Sequence, residues 1–426
     1  MSFAIYWDQL KDRLQPANLK WELGYVEIGF LCALYLCFIV LFPSEPMDDL
    51  KRHLIAHQYN FEYQNLYLYT TFPDYYNLYP AFDAFAGFLH QHIGYYSFIV
   101  IQVLLTALTM VGMLALMRRA NTHLAFLVLM VLLYYMSVRL SMGRPASFAS
   151  ALMLIGMGFA DKKNPWLHIT NGLLIALTYH LFWVYLLPLI LLRRLYIVPM
   201  LIGFGGWMLY SDGAYLHTVW ELATASQHQL IEISERATIL RSLGVAIVFI
   251  PVLYYFHRDW KRVLTMTYFA APNQIRYFEN IMPLALSFGR FAKWKPDWRI
   301  LLCVFAMACL TKGAPGQDPT LLKRDYFENA RILTTDIADM YVVIYQNDQI
   351  KVAPTFHLGW TDQKLQLLLK DIGTTGKLDC NKLAQFDFDY VIDKRLKDSP
   401  TCLTYVESAR EYGIWRVKKN DHKTQQ

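Results

Sequence analysis

The chain has 426 residues, of which 55% are hydrophobic, 15% are aromatic and only 17% are charged, and its formal net charge is +6. A soluble fold of this length needs less apolar surface, so the composition predicts a protein embedded in a lipid bilayer. The Lys and Arg residues lie mostly in short clusters beside apolar runs. Such clusters orient helices in a membrane, and we therefore expect no nucleic-acid partner.

Apolar runs follow one another from the N-terminus, and the first is preceded by Lys11, Arg13 and Lys20. This order favours a cytoplasmic N-terminus and a first helix that is retained rather than cleaved. If the spans alternate, the later basic clusters also lie inside. The pattern predicts an α-helical polytopic protein with about eleven transmembrane helices, multi-pass in the cell inner (cytoplasmic) membrane. The longest nearly uncharged runs are 23–42, 97–117, 123–138, 147–160, 165–192 and 239–256.

The pattern changes near residue 312, which divides the chain into a transmembrane domain, 1–312, and a small soluble α/β domain, 313–426. Short runs typical of strands occur at 341–345, 386–392 and 412–417, and an amphipathic run at 362–372 predicts a helix. Because the last predicted span, about 299–311, ends on the outer side, we expect this domain to be extracytoplasmic (periplasmic). Cys380 and Cys402 lie in it, and the sequence leaves open whether they form a disulfide.

Two adjacent carboxylates, Asp48 and Asp49, follow the first apolar run and open a predicted external loop, 43–96. They can act at the membrane surface, where a lipid phosphate would lie, or they can simply favour the first turn of a helix. Asp49, His53 and His57 are spaced by four residues, so they share a helix face. That spacing leaves a divalent metal site open, for example for Mg or Mn.

The rest of the external loop is rich in aromatic residues between positions 59 and 79, and Pro80, Asp83, His90 and His92 follow. The rings indicate either interfacial helices anchored among lipid headgroups or stacking on sugar rings.

Charged or polar residues near the outer ends of predicted spans are candidates for binding, because such positions are costly without a partner. Guanidinium groups there suit a phosphate. The candidates are Arg139, Arg144, His180, Arg276 and Glu279.

The external diacid, the many short spans, a basic residue opening a late helix and the exported α/β domain together resemble the GT-C superfamily of polyprenyl-phosphate-sugar glycosyltransferases. Residues 139–187 also resemble exopolysaccharide polymerases, which leaves a polymerase as the nearest alternative. A transporter or flippase of lipid-linked sugar is an alternative from another class, although the second half shows no repeat of the Asp48 region.

The resemblance implies an inverting transfer from a polyprenyl-phosphate sugar, outside the membrane, without a required cofactor. It assigns the general base to Asp48, with Asp49 as the alternative. The donor phosphate site would comprise Arg144 and Arg276, with Arg139 and His180 in support; further supporting positions are Lys51, Arg52, His53 and Glu279. Membrane lipids are expected neighbours, and the acceptor stays open among a glycan, a lipid-linked saccharide and a surface protein.

Overall fold

A computed structural model describes most of the chain, and all structural statements below refer to these residues. They are 23–44, 49–60, 65–71, 77–118, 121–159, 164–179, 197–225, 260, 263–264, 295–310, 321–347, 349–354, 360–394, 396 and 400–419.

Ten α-helices precede a C-terminal unit of three helices and five strands within the described residues. The first ten are α1 (Tyr25–Leu41), α2 (Leu50–Leu54), α3 (Pro80–Ile93), α4 (Ser97–Leu116), α5 (Thr122–Met142), α6 (Pro145–Gly158), α7 (Pro165–Thr178), α8 (Ile197–Tyr210), α9 (Ala214–Ala225) and α10 (Trp298–Leu310). The C-terminal unit comprises β1 (Arg331–Thr334), α11 (Ile337–Gln346), β2 (Lys351–Ala353), α12 (Gln363–Thr375), α13 (Cys380–Leu383), β3 (Tyr390–Asp393), β4 (Leu403–Ala409) and β5 (Tyr412–Val417).

The prediction of about eleven membrane-spanning helices is wrong. In the part of the chain that is described, one helical stretch, Pro80–Leu116, is long and apolar enough to cross a membrane. Other apolar helices are short: α1 has 17 residues, α6 has 14 and α10 has 13. At about 1.5 Å per residue, these are shorter than a hydrocarbon core of roughly 30 Å. The prediction of a multi-pass protein of the cytoplasmic membrane, with an extracytoplasmic C-terminal domain, depended on that helix count and is wrong as well.

The apolar runs at 97–117, 123–138 and 147–160 nevertheless correspond to helices α4, α5 and α6, which pack on neighbouring helices. Helix α4 packs along α6, and α5 packs against α10. Gly112 and Gly158 allow the close α4–α6 contact, since a Cβ on Gly158 would lie 2.6 Å from Ala115 Cβ. In the most apolar 18-residue segment of Pro80–Leu116, 50% of the residues are buried inside the protein.

The five strands form a mixed sheet in the order β2-β1-β3-β5-β4. Strand β1 is parallel to β2 and β3, whereas β5 is antiparallel to β3 and β4. Residues 341–345, predicted as a strand, belong instead to helix α11, which begins where the Asp336 side chain accepts a hydrogen bond from Ala338 N. Cys380 and Cys402 form a disulfide.

Alternate residues of the sheet enter two apolar clusters. Ile332, Val352 and Ile392 join the large core that also contains Leu50 and Ile101 of the helical part. Leu333 and Val391 face the opposite way and pack with Leu365, Leu368 and Leu369 of α12. The sheet is thus covered on both faces, and one face is continuous with the helical core.

A short segment, 65–71, joins the helical part to the edge of the sheet. Leu68 N donates to Val352 O at 2.8 Å, and Val352 N donates to Leu66 O at 2.8 Å. Helix α11 also packs on α2. Residues at the N-terminal side of the chain therefore meet the C-terminal unit around α2.

Candidate active site at helix α2

Helix α2 is short, yet its charged residues are among the most buried in the described chain. The exposed fraction is 5% for Lys51 and 0% for Arg52 and His53. Apolar partners hold the helix in place, since Leu50 and Leu54 are fully buried as well. Charged side chains at this depth are retained in proteins only when they are paired.

Asp49 precedes the helix and serves as the partner of two of these side chains. Its carboxylate makes no capping bond to the helix backbone. Instead, Oδ1 lies 2.9 Å from Arg52 Nη2, and Oδ2 lies 3.3 Å from His53 Nε2. Asp49 therefore lies at a helix start, as the sequence pattern predicts, but its carboxylate contacts the side chains of Arg52 and His53 and not the helix backbone.

Asp83 completes the cluster from helix α3. Pro80 occupies the first turn of α3, and Asp83 N donates to Tyr79 O at 2.8 Å. This turn directs the Asp83 carboxylate to His53 Nδ1. Asp83 is fully buried, so His53 lies between two carboxylates, one inside the protein and one at its surface.

Aromatic rings fix the orientation of the imidazole and the guanidinium. The ring of His53 meets Tyr79 and Phe82 edge to face, each with a centroid distance of 5.0 Å. Arg52 lies over the Tyr79 ring with its Cζ 5.4 Å from the centroid. Tyr79 also stacks with Tyr179, at 6.4 Å between ring centroids.

The charges of the cluster stabilise one another. Burial alone would raise the pKa of Asp49, but Arg52 and His53 outweigh it and hold that pKa well below its usual range. Burial and Arg52 act to lower the pKa of His53, whereas Asp83 and Asp49 raise it, and the net direction is upward. Both pKa shifts, downward for Asp49 and upward for His53, favour the charged form of the group.

Asp49 is the member that solvent reaches, because 21% of its side chain is exposed while Arg52, His53 and Asp83 show 0%. The Asp49 carboxylate is thus partly exposed and is backed by the buried side chains of His53 and Arg52. Such an arrangement can accept a proton or stabilise a developing positive charge.

Two tyrosines from other parts of the chain lie within electrostatic reach of the same charges. Burial raises the pKa of Tyr341, on α11, well above its usual value, and Asp49 raises it further while Arg52 and Arg144 oppose the shift. Burial likewise raises the pKa of Tyr67, in segment 65–71; Asp49 raises this pKa further, whereas Arg52 lowers it. The site therefore lies where the helical part and the C-terminal unit meet.

Of the arginines predicted to bind phosphate, Arg144 lies near this site. It precedes the first turn of α6 and is half-buried. The neighbouring Gly143 has φ of +57° and packs against Leu50 of α2. Arg139 is half-buried in the last turn of α5.

The metal interpretation of Asp49, His53 and His57 is not supported by the geometry of the described residues. His53 uses one ring nitrogen toward Asp49 and the other toward Asp83, and His57 donates from Nδ1 to Leu54 O at 3.1 Å. Among the described side chains no group of three or more His, Cys, Asp or Glu is arranged to hold a metal ion.

Several predicted site residues lie outside the described residues, namely Asp48, His180, Arg276 and Glu279. The sequence did not assign a role to Asp83, and it placed Tyr79 among the rings of 59–79 predicted to anchor in headgroups or to stack on sugar. The available signal was Pro80 followed three residues later by an acidic residue, which is also the ordinary signature of a helix start.

Comparison with known proteins returns no match: no protein family, no curated protein and no solved structure is significantly similar to this chain.

Proposed function

We propose that this protein is a glycosyltransferase that moves a sugar from a polyprenyl-phosphate donor to an acceptor hydroxyl, with Asp49 as the general base. The observation that supports it best is the Asp49 carboxylate, whose pKa is lowered by Arg52 and His53 and whose side chain is 21% exposed while its partners are buried. The resemblance of the sequence to polyprenyl-phosphate-sugar glycosyltransferases supplies the donor class.

In the proposed reaction, the acceptor oxygen attacks the anomeric carbon as the bond from that carbon to the phosphate oxygen breaks. The hydroxyl proton passes to Asp49, and the lipid phosphate leaves with the bonding electron pair. Attack opposite the leaving phosphate inverts the anomeric centre. A carboxylate of low pKa accepts the proton late, when the attacking oxygen has already gained positive charge. Before that, its negative charge stabilises the oxocarbenium-like sugar.

The departing phosphate requires a cationic partner. Arg144 is a described arginine whose charge acts on Tyr341 together with those of Asp49 and Arg52, and we assign it to the phosphate. Arg139, His180 and Arg276 remain candidates from the sequence pattern.

Transfer itself tests the proposal. Full-length protein in detergent or liposomes is incubated with undecaprenyl-phosphate sugars that carry a radiolabelled sugar, and with oligosaccharide, lipid-linked saccharide or protein acceptors. We expect label to appear in an acceptor with inverted anomeric configuration. If the label stays on the lipid with every acceptor, or merely changes leaflet in liposomes, the glycosyltransferase proposal is rejected, and the second result would indicate a flippase. Stepwise elongation of a glycan acceptor would identify a polymerase.

A further inference from the structure

A groove lies between α1, α4, α5 and α10, near the ends of these helices that face α2. Its empty volume is about 470 Å³ when the solvent at its mouth is included. None of the residues that line it is Asp, Glu, Lys, Arg or His, so the groove suits an uncharged ligand.

One wall of the groove carries neutral polar side chains from α4 and α5: Gln102, Thr106, Ser137 and Ser141. Gln102 Nε2 donates to Ser141 O at 2.6 Å and to Ser44 O at 2.9 Å, which fixes the amide. These residues are at least nine-tenths buried, since none is more than 8% exposed.

Among these polar residues, Thr106 is the one whose hydrogen bonding indicates that a ligand binds in the groove. It is 1% exposed, and its hydroxyl has no hydrogen-bond partner among the described residues. Thr109, on the same helix and equally buried, instead donates to Leu105 O at 2.9 Å. A buried hydroxyl without a partner costs about 1–3 kcal/mol, which a ligand hydroxyl in the groove would offset.

Helix α1 and the residue after it contribute aromatic rings to the lining, namely Tyr35, Phe38 and Phe42. The rings of Phe38 and Phe42 are 4.7 Å apart between centroids and tilted by 41°. A lining that combines aromatic rings with uncharged hydroxyl and amide groups matches a sugar ring, which has apolar C–H faces and a rim of hydroxyl groups.

The groove is connected to the candidate active site by direct packing. Ser141 lines the groove, and two residues later Gly143 contacts Leu50, which is the neighbour of Asp49. Ser44, whose carbonyl Gln102 holds, lies five positions before Asp49 in the sequence.

We infer that this groove binds an uncharged saccharide, and that this saccharide is the acceptor of the transfer. That the saccharide is the acceptor rests on the proposed function. That the groove binds a saccharide does not depend on it. Of the acceptor classes left open by the sequence, the groove therefore selects a glycan or a lipid-linked saccharide.

Saturation-transfer NMR on the full-length protein tests the binding directly, using methyl glycosides of glucose, galactose and N-acetylglucosamine as probes. The experiment compares Thr106→Val, which removes the hydroxyl at nearly constant volume, with the matched control Thr109→Val. We expect at least one glycoside to bind, Thr106→Val to weaken it about tenfold, and Thr109→Val to leave its affinity unchanged. Phe38→Leu should weaken the same glycoside by removing an aromatic ring from the lining.

Either of two results would overturn the inference: no glycoside gives a saturation signal, or the signal is unaffected by both Thr106→Val and Phe38→Leu. Circular dichroism of each variant identifies any that fails to fold. If Thr106→Val does not fold, Phe38→Leu still tests the groove. Measuring sugar transfer by the wild type in parallel separates the two proposals: binding that depends on Thr106, without any transfer, retains the groove and rejects the enzyme.

Discussion

His53 Nδ1 contacts the Asp83 carboxylate at a point where neither side chain is exposed to solvent. The two residues are separated by 30 positions in the sequence and come from different helices. The other nitrogen of His53 faces Asp49. Any change in the charge of His53 therefore changes the pKa of the carboxylate that we propose as the base.

Asp83→Asn should lower the pKa of His53, since it removes one of the two negative charges that raise it. We expect the alkaline limb of the pH–rate profile to move to lower pH by about 1 unit or more. The measurement is kcat for sugar transfer between pH 5 and 10, with the exposed Asp387→Asn as the control. An unchanged alkaline limb in Asp83→Asn would rule out this coupling.

The same pair predicts a pH dependence of stability. A histidine with a raised pKa in the folded state contributes stability below its unfolded pKa of about 6.5, and that contribution is lost as the pH rises through the folded value. Asp83→Asn should therefore reduce the free energy of unfolding more at pH 5.5 than at pH 9. Chemical denaturation at both pH values measures the difference, and an equal loss at both would contradict it.

Arg52→Ala should strongly destabilise the protein, because it leaves the Asp49 carboxylate without its guanidinium partner and empties a fully buried site. Breaking a buried pair typically costs about 3–5 kcal/mol. Arg331→Ala is the control, since Arg331 pairs with Asp387 at 2.8 Å near the surface and exposed pairs contribute at most ~1 kcal/mol. Equal denaturation midpoints for the two variants would show that the α2 cluster is not a structural ion pair.

Gly143→Ala tests the packing beneath the site. Gly143 has φ of +57°, and a Cβ there would lie 2.7 Å from Leu50 Cδ2 and 3.2 Å from Ile101 Cγ2. We expect a loss of about 1–3 kcal/mol in stability together with reduced transfer, because Leu50 adjoins Asp49. Gly29→Ala is the control: a Cβ there meets nothing within 4 Å, and a helical Gly→Ala change is neutral or stabilising by ~0.5–1 kcal/mol. Transfer as fast in Gly143→Ala as in the wild type would contradict the coupling of this turn to the site.

Cys380→Ser with Cys402→Ser should lower the stability of the C-terminal unit. The disulfide closes a loop with a sequence separation of 22 residues, and a loop of this size corresponds to roughly 3 kcal/mol. Dithiothreitol should destabilise the wild type by a similar amount and leave the double variant unchanged. Cys303→Ser, which removes a free and exposed thiol, is the control, and a full response to dithiothreitol in the double variant would refute the prediction.

Local patterns were sufficient to place several elements before the structure was known. The amphipathic run 362–372 begins at the N-cap of α12 and continues into the helix, and the run 412–417 coincides with β5, because side-chain periodicity reflects which face is buried. The run 341–345 was misread, since Tyr341, Val342 and Val343 have high β propensity but are buried on α11, where tertiary packing outweighs propensity.

The membrane topology failed for a related physical reason. An apolar run records that side chains avoid water, and both a bilayer and the interior of a large helical core satisfy it. The runs at 97–117 and 123–138 do form α4 and α5, but the burial of Leu105, Leu129 and Leu133 is provided by neighbouring helices. Composition does not distinguish these two surroundings.

The candidate site was predictable only where it is local. Asp49, Arg52 and His53 stand out because they share one turn and its surroundings, whereas Asp83 and Tyr341 reach them through chain folding. The lining of the groove was not predictable either, since Thr106 and Ser137 carry no motif and meet only when α4 and α5 pack together.

The rate of sugar transfer by Asp49→Asn is the most direct test of the proposed base. The variant keeps the shape and one hydrogen-bond acceptor of the side chain but removes the negative charge, and Asp212→Asn serves as the control at an exposed aspartate. Under saturating donor and acceptor, we predict that Asp49→Asn lowers kcat by about 10²–10⁴-fold, the range typical of a general base, with little change in donor affinity. If Asp49→Asn transfers sugar at the rate of the wild type, Asp49 is not the base and the account of this site is wrong.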